Sequence, residues 1–217
     1  MKHQSTHIPL VLSLLILLLA AIATAGHSEG QLRFGGYLLA PSDDDIWSKA
    51  SGMDAQLIMW GKHAGIGFTF GYGEWTVPEQ SSVISNSYYA VGSAVEGNAN
   101  MTPLGLSLFL RTGSNSKVNL IIEGGLRLLL MGSDINASLV YYDYYNYATA
   151  TGTIEIDNAF AGILAADLEI GGNETASLFV GGGLQIGGTS KMKFQNQELG
   201  EVELSAAFLR AGFTGRF

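Results

Sequence analysis

The sequence predicts an all-β chain: an eight-stranded antiparallel up-and-down β-barrel that crosses a membrane. Three observations predict it. Apolar residues recur at every second position in eight segments, the period of strands whose successive side chains point to opposite faces. Only 14% of residues are charged, against about 25% in an average soluble domain. Beyond the amino-terminal segment, no stretch has the length and apolarity of a spanning helix. An apolar chain that crosses lipid without helices must close into a barrel, because no backbone edge can stay unpaired there.

The amino terminus is a segment apart. Met1, Lys2 and His3 make a short basic start, residues 8–21 form an almost unbroken apolar run, and Ala23, Thr24 and Ala25 are small. That order predicts a cleaved secretory signal over residues 1–25 and a barrel domain over residues 26–217. The rival reading, an uncleaved anchor, asks for about 20 apolar residues, more than the run supplies. The chain has no cysteine, which excludes disulfides, thiolate metal sites and a lipid-bearing cysteine. Removing Lys2 with the signal takes the net charge from −8 to −9, which argues against nucleic acid as a partner.

The first strand is expected at residues 32–39, with Leu32, Phe34, Gly36 and Leu38 on one face. A loop with Pro41 and the acids Asp43, Asp44 and Asp45 follows. The second strand, residues 53–60, is the least regular: Gln56, Ile58 and Trp60 share one phase, and Ala55, Leu57 and Met59 the other. Gly61, Lys62 and His63 turn the chain into a third strand, residues 64–75, where Ile66, Phe68, Phe70 and Tyr72 oppose glycines and Thr69. A long polar stretch over residues 76–100 precedes the fourth strand. There Leu104, Leu106, Leu108 and Leu110 alternate with Gly105, Ser107, Phe109 and Arg111.

Residues 113–116 form a turn. The fifth strand, residues 118–129, sets Leu120, Ile122, Leu126 and Leu128 against Asn119, Glu123 and Arg127. A second long excursion reaches about residue 158. The sixth strand covers residues 160–170, and Gly171, Gly172 and Asn173 lead into the seventh, residues 177–186. A shorter loop over residues 190–200 precedes the last strand. That strand places Leu209, Ala211, Phe213, Gly215 and Phe217 on one face and Arg210, Gly212, Thr214 and Arg216 on the other.

Short and long connections alternate strictly, as a transmembrane barrel requires. With this pattern and its terminal Phe217, the chain resembles the small eight-stranded outer-membrane barrels of the OmpA, OmpX and OmpW type, over residues 32–217. The resemblance implies an integral protein of a Gram-negative outer membrane, exported through its signal, with short turns in the periplasm and long loops outside. It implies outer-membrane lipid and the barrel-assembly machinery as partners, with Phe213 and Phe217 in the assembly signal. It carries no catalytic motif. A soluble lipocalin-like ligand-binding barrel is the structural rival, but its outside would be covered with Lys and Glu. Here the less apolar face holds mainly small residues.

All five arginines (Arg33, Arg111, Arg127, Arg210, Arg216) lie on strands, on the face opposite the leucines. The strand carboxylates Glu123, Asp167 and Glu169 share that face, whereas the lysines fall in or beside loops. A guanidinium can satisfy carboxylates bidentately inside a narrow barrel. Facing lipid at the midplane it would cost about 2–4 kcal/mol. These eight residues are therefore expected to form a lumen charge network. It either plugs the barrel as structure or lines a gated polar path; an interior this narrow leaves no room for a standing pore.

Catalysis is not expected. The histidines are His3 and His7 in the signal, His27 beside it and His63 in a periplasmic turn, none near the outer rim. No cofactor or metal motif is present, and Asp43, Asp44 and Asp45 read as a solvated acidic loop rather than a cation site. Tyr141, Tyr142, Tyr144, Tyr145 and Tyr147 are candidates for contact with an extracellular ligand. The plainer alternative is a hairpin whose tyrosines pair across its strands. Trp75 is assigned to an interfacial aromatic girdle. The expected role is that of a monomeric structural or cell-surface interaction protein. The runner-up is passage of small hydrophobic molecules through a lateral opening, sought at the irregular second strand.

Overall fold

The computed structural model describes residues 29–86, 88–112, 117–171 and 175–217. The signal, His27, the turn at 113–116 and part of the turn at Gly172 and Asn173 lie outside the described residues. Twelve strands are present among those described. They are β1 (Glu29–Pro41), β2 (Lys49–Trp60), β3 (Ala64–Ser85), β4 (Tyr89–Arg111), β5 (Val118–Ser133), β6 (Ile135–Asp143), β7 (Tyr147–Ile156), β8 (Ala159–Ile170), β9 (Ala176–Gly187), β10 (Thr189–Phe194), β11 (Gln197–Glu203) and β12 (Ala206–Arg216).

Eight of them close the barrel in the order β1-β2-β3-β4-β5-β8-β9-β12, every pair antiparallel. The last strand returns to the first: Phe34 faces Phe213 and Leu38 faces Leu209. Phe217 completes the seam by exchanging backbone hydrogen bonds of 2.9 Å with Gly30. Alternation holds along each barrel strand. Phe34, Leu38, Met53, Phe70, Leu209 and Phe213 point outward and are exposed, while their neighbours are buried inside. A continuous apolar wall of this extent marks a lipid-facing surface rather than a solvated one. This overturns the lipocalin-like alternative, whose apolar face would turn inward. No helix among the described residues is long and apolar enough to cross a membrane.

The three long connections are not loops. β3 and β4 run on through residues 76–100 as a hairpin, β6 and β7 fill the second excursion, and β10 and β11 fill residues 190–200. Together they raise a ribbon above the barrel, ordered β3-β4-β6-β7-β10-β11. β4 is the hinge of this arrangement: its lower half pairs with β5 and its upper half with β6. Gly97 stands at the exchange with φ +137, and a side chain there would meet the Asp134 carbonyl oxygen at 2.4 Å. Lys191 and Lys193 sit on β10, contrary to the expectation that lysines avoid strands. There they pair with Glu198 at 2.8 Å and Asp157 at 2.6 Å. Above the membrane both faces of a strand are wet, so a lysine is tolerated.

Candidate functional site

The lumen is filled in three tiers. The middle tier draws one or two side chains from each of six strands. Asp167 on β8 accepts from Arg33 of β1 at 2.7 Å and from Arg210 of β12 at 2.9 and 2.7 Å. Arg210 also reaches Glu123 on β5 at 2.6 Å, and Ser107 donates to the same carboxylate at 2.8 Å. Gln56 bridges the set, accepting from Arg33 at 3.1 Å and donating to Glu123 at 3.2 Å. Arg127 stands off by comparison, 3.7 Å from Glu123 and 3.8 Å from Asp54. Every one of these side chains is buried. The Arg33 guanidinium also lies over the Phe179 ring, 4.0 Å from its centroid.

The lower tier closes the end where the short turns lie. Glu169 accepts from Gln31 at 2.9 Å, Ser177 at 2.5 Å and Arg216 at 2.9 Å. Glu29 is shared by Arg111 and Arg216, each at 3.1 Å. Trp60 donates its indole N–H to Gln31, and Arg111 lies over the Trp60 ring at 4.6 Å. Ile58, Trp60, Phe109 and Ile121 pack together among these polar groups. Across both tiers five arginines meet five carboxylates, so the lumen carries no net charge.

The upper tier is apolar. The loop over residues 42–48 turns inward and buries Trp47 edge-on against Trp75, with ring centroids 5.2 Å apart. Leu129, Ile135, Ile163 and Phe208 pack around the pair. The loop is tied down at both ends: Ser42 N–H donates to Ser205 and Ser48 N–H to Thr76, each at 2.9 Å. Trp75 therefore does not belong to an interfacial girdle. It shares the inward phase of Gly71 and Gly73 on β3, and Tyr72 takes the outward phase.

The eight predicted network residues thus come together in two layers. Glu123, Arg127 and Arg210 lie deeper in the barrel than Arg111, Glu169 and Arg216. Six further side chains join them: Glu29, Gln31, Asp54, Gln56, Ser107 and Ser177. Asp54 lies inside the predicted second strand, two residues before Gln56 in the same inward phase, so its place beside the network was legible there. Glu29 precedes the predicted start of β1. Gln31 lies just inside the true strand end.

The tyrosines ride on the β6–β7 hairpin. Tyr142 faces Tyr147 directly across it, Tyr141 stacks on Tyr89 at 6.5 Å, and Tyr144 and Tyr145 stand exposed at the tip. Asp143 organises the turn, accepting from the backbone N–H of Tyr145 at 2.7 Å and Asn146 at 2.6 Å. It also accepts from the Tyr141 hydroxyl at 2.9 Å. These donors, with the Tyr145 N–H foremost, hold its carboxyl down at about 2. Phe213 and Phe217 face outward at the seam. His63 is exposed in the β2–β3 turn. Among the described residues, no group of His, Asp or Glu is arranged to hold a metal ion.

The second strand shows no lateral opening. β2 pairs with both neighbours from Ala50 to Trp60 without a register shift. Its irregular look comes from apolar residues in both phases, Met53, Leu57 and Met59 outside and Ile58 and Trp60 inside, since lumen and lipid both accept apolar side chains there.

No family model matches the chain, and no curated protein matches it. Solved structures do. OprG from Pseudomonas aeruginosa aligns at 12% identity with a TM-score of 0.50, covering 89% of this chain and 98% of that one. A major outer membrane protein from Thermus thermophilus aligns at 12% identity and 0.48, covering 88% and 99%. Neisserial surface protein A aligns at 11% identity and 0.42, covering 88% and 97%. The OprG likeness, with the closed antiparallel barrel, shows the fold to be that of the small eight-stranded outer-membrane barrels.

Proposed function

We propose, from a fold shared with the small outer-membrane barrels, that this chain is a monomeric, non-enzymatic, integral outer-membrane protein with a sealed lumen. Its role on this reading is structural and adhesive: a rigid barrel that holds a tall β-ribbon outside the cell. Residues 1–25 act as the export signal, and Phe213 and Phe217 address the chain to the assembly machinery. The observation that carries the reading is the double seal. A neutral, hydrogen-bonded ion-pair tier excludes ions, and the Trp47–Trp75 tier above it excludes polar solutes.

The charge of the ribbon supports a surface role. Of 19 carboxylates, five line the lumen and Glu174 falls outside the described residues. The other thirteen lie in the outer half, from Asp43 to Glu203, against Lys49, Lys191 and Lys193. Such a field favours cationic partners and repels anionic ones. The exposed tyrosines at the hairpin tip supply contact area for such a partner.

Recording from planar bilayers containing the refolded chain tests the seal. The expected trace shows no steady conductance at neutral pH, while stepwise currents in the wild type would overturn the sealed-lumen reading.

A further inference from the structure

The barrel's outer wall is not smooth. A groove of about 610 Å³ runs along it between β12, β1, β2 and β3. It continues upward into a second hollow of about 510 Å³ beside the 42–48 loop, with Leu38 and Ser51 common to both. Strand register explains its shape. One row of outward residues reads Ala211, Gly36, Met53, Tyr72, and the row above it Leu209, Leu38, Ser51, Glu74. Gly36 and Ser51 are the low points, while Leu38, Met53 and Leu209 stand up as walls. The groove lies on the lipid-facing surface, where its natural filler is an acyl chain.

Its upper end is charged. Lys49 follows Ser51 in the same outward phase, facing Thr76, so Lys49 and Glu74 are diagonal neighbours about 7–8 Å apart at the backbone. Both lie just above Tyr72, whose hydroxyl donates to Asn100 at 2.7 Å in the manner of an interfacial aromatic. Lysines 191 and 193 are occupied by Glu198 and Asp157. Lys49 has no ion-pair partner among the described residues, and neither does Glu74. Two opposite charges thus stand side by side at headgroup height without neutralising each other. The surrounding acidic field would repel a purely anionic headgroup.

We infer that this groove is a specific site for a zwitterionic phospholipid, its acyl chain along Gly36 and Met53, its phosphate on Lys49 and its ammonium on Glu74. The site rests on membrane insertion of the barrel, as proposed above. It lies on the outer wall: of the ion-pair residues only Arg210 borders it, and the Arg210 guanidinium is turned inward onto Asp167.

Native mass spectrometry tests it, on folded chain released from micelles doped equally with phosphatidylethanolamine and phosphatidylglycerol. The wild type is expected to retain phosphatidylethanolamine preferentially. Lys49→Ala and Glu74→Gln each should lower that preference by up to about fivefold, the size of an exposed charge interaction. Gly36→Leu fills the groove, and its backbone tolerates a side chain because the nearest atom to a new Cβ is 3.8 Å away. That variant should lose retention of both lipids. Equal retention by Gly36→Leu and wild type would overturn the site, and so would a preference for phosphatidylglycerol. A gel run unheated and boiled accompanies each variant. A missing folded species there counts against the barrel reading, whereas a folded species without lipid preference counts against the groove alone.

Discussion

Arg210 clasps Asp167 with two nitrogens, Nε at 2.9 Å and one terminal NH2 at 2.7 Å, reaching from β12 to β8 over Gly181 of the intervening β9. This pair ties the closing strand to a strand that is not its neighbour in the sheet. It also carries the network, because Asp167 holds Arg33 and Arg210 holds Glu123.

Arg210→Leu is therefore expected to leave two buried carboxylates short of a partner and to cost about 3–5 kcal/mol. Asp167→Asn should cost less, since the amide still accepts one hydrogen bond. The double variant Arg210→Leu with Asp167→Asn leaves Arg33 and Arg127 against Glu123 and Asp54, so its cost should fall below the sum of the singles. Urea unfolding in detergent, followed by tryptophan fluorescence, reads all three. An unchanged midpoint for Arg210→Leu would mean that the pairing contributes nothing to stability.

The apolar tier makes a separate prediction. Trp47→Ala removes a fully buried indole and is expected to cost about 3–5 kcal/mol through the cavity it leaves. It should also abolish the near-ultraviolet circular dichroism of the Trp47–Trp75 pair. Conductance should stay absent, because the ion-pair tier below is intact. Current through this variant alone would show that the Trp pair, not the charge tier, is the seal.

The sequence carried the barrel clearly where one face meets lipid and the other the lumen. There the two environments differ enough to write period-2 alternation into the chain, as Phe68, Phe70 and Tyr72 do against Gly67, Thr69 and Gly71. The signal fades above the membrane. Between Gln80 and Val95 both faces are at least partly exposed, so a stretch of strands that pairs residue by residue reads as a polar loop. It fades again near Asp54, where Met and Leu outside and Ile and Trp inside give β2 the same polarity on both faces. Trp47 was invisible for another reason: its burial depends on a loop folding back into the lumen, which no local pattern records.

Gly212 tests the seam. It faces Gly35 across β1 and β12, and an added Cβ would meet the Phe34 carbonyl oxygen at 1.9 Å and the Phe179 ring at 2.8 Å. Backbone cannot yield there without parting the strands. Gly212→Ala should therefore weaken closure, visible as less of the unboiled, fast-migrating form on a gel. Gly36→Ala, on the same strand pair but facing open space, serves as the control and should leave that form unchanged.

The hairpin tip should respond to acid. The folded carboxyl of Asp143 lies at about 2, below the ordinary value of 3.8, because the Tyr145 N–H, the Asn146 amide and the Tyr141 hydroxyl all donate to it. A depressed value means that the charged form supports the folded turn. That support is complete above about pH 4 and is lost as pH falls towards 2. Amide exchange at Tyr145 and Asn146 should therefore accelerate, relative to barrel amides, only within that window. Asp143→Asn keeps an acceptor oxygen for the two backbone N–H groups, so it should preserve the turn and remove the acid response. Asp143→Ala should lose protection at every pH. Equal protection in the wild type at pH 6 and at pH 2 would mean that the turn is held by the Tyr142–Tyr147 pairing instead.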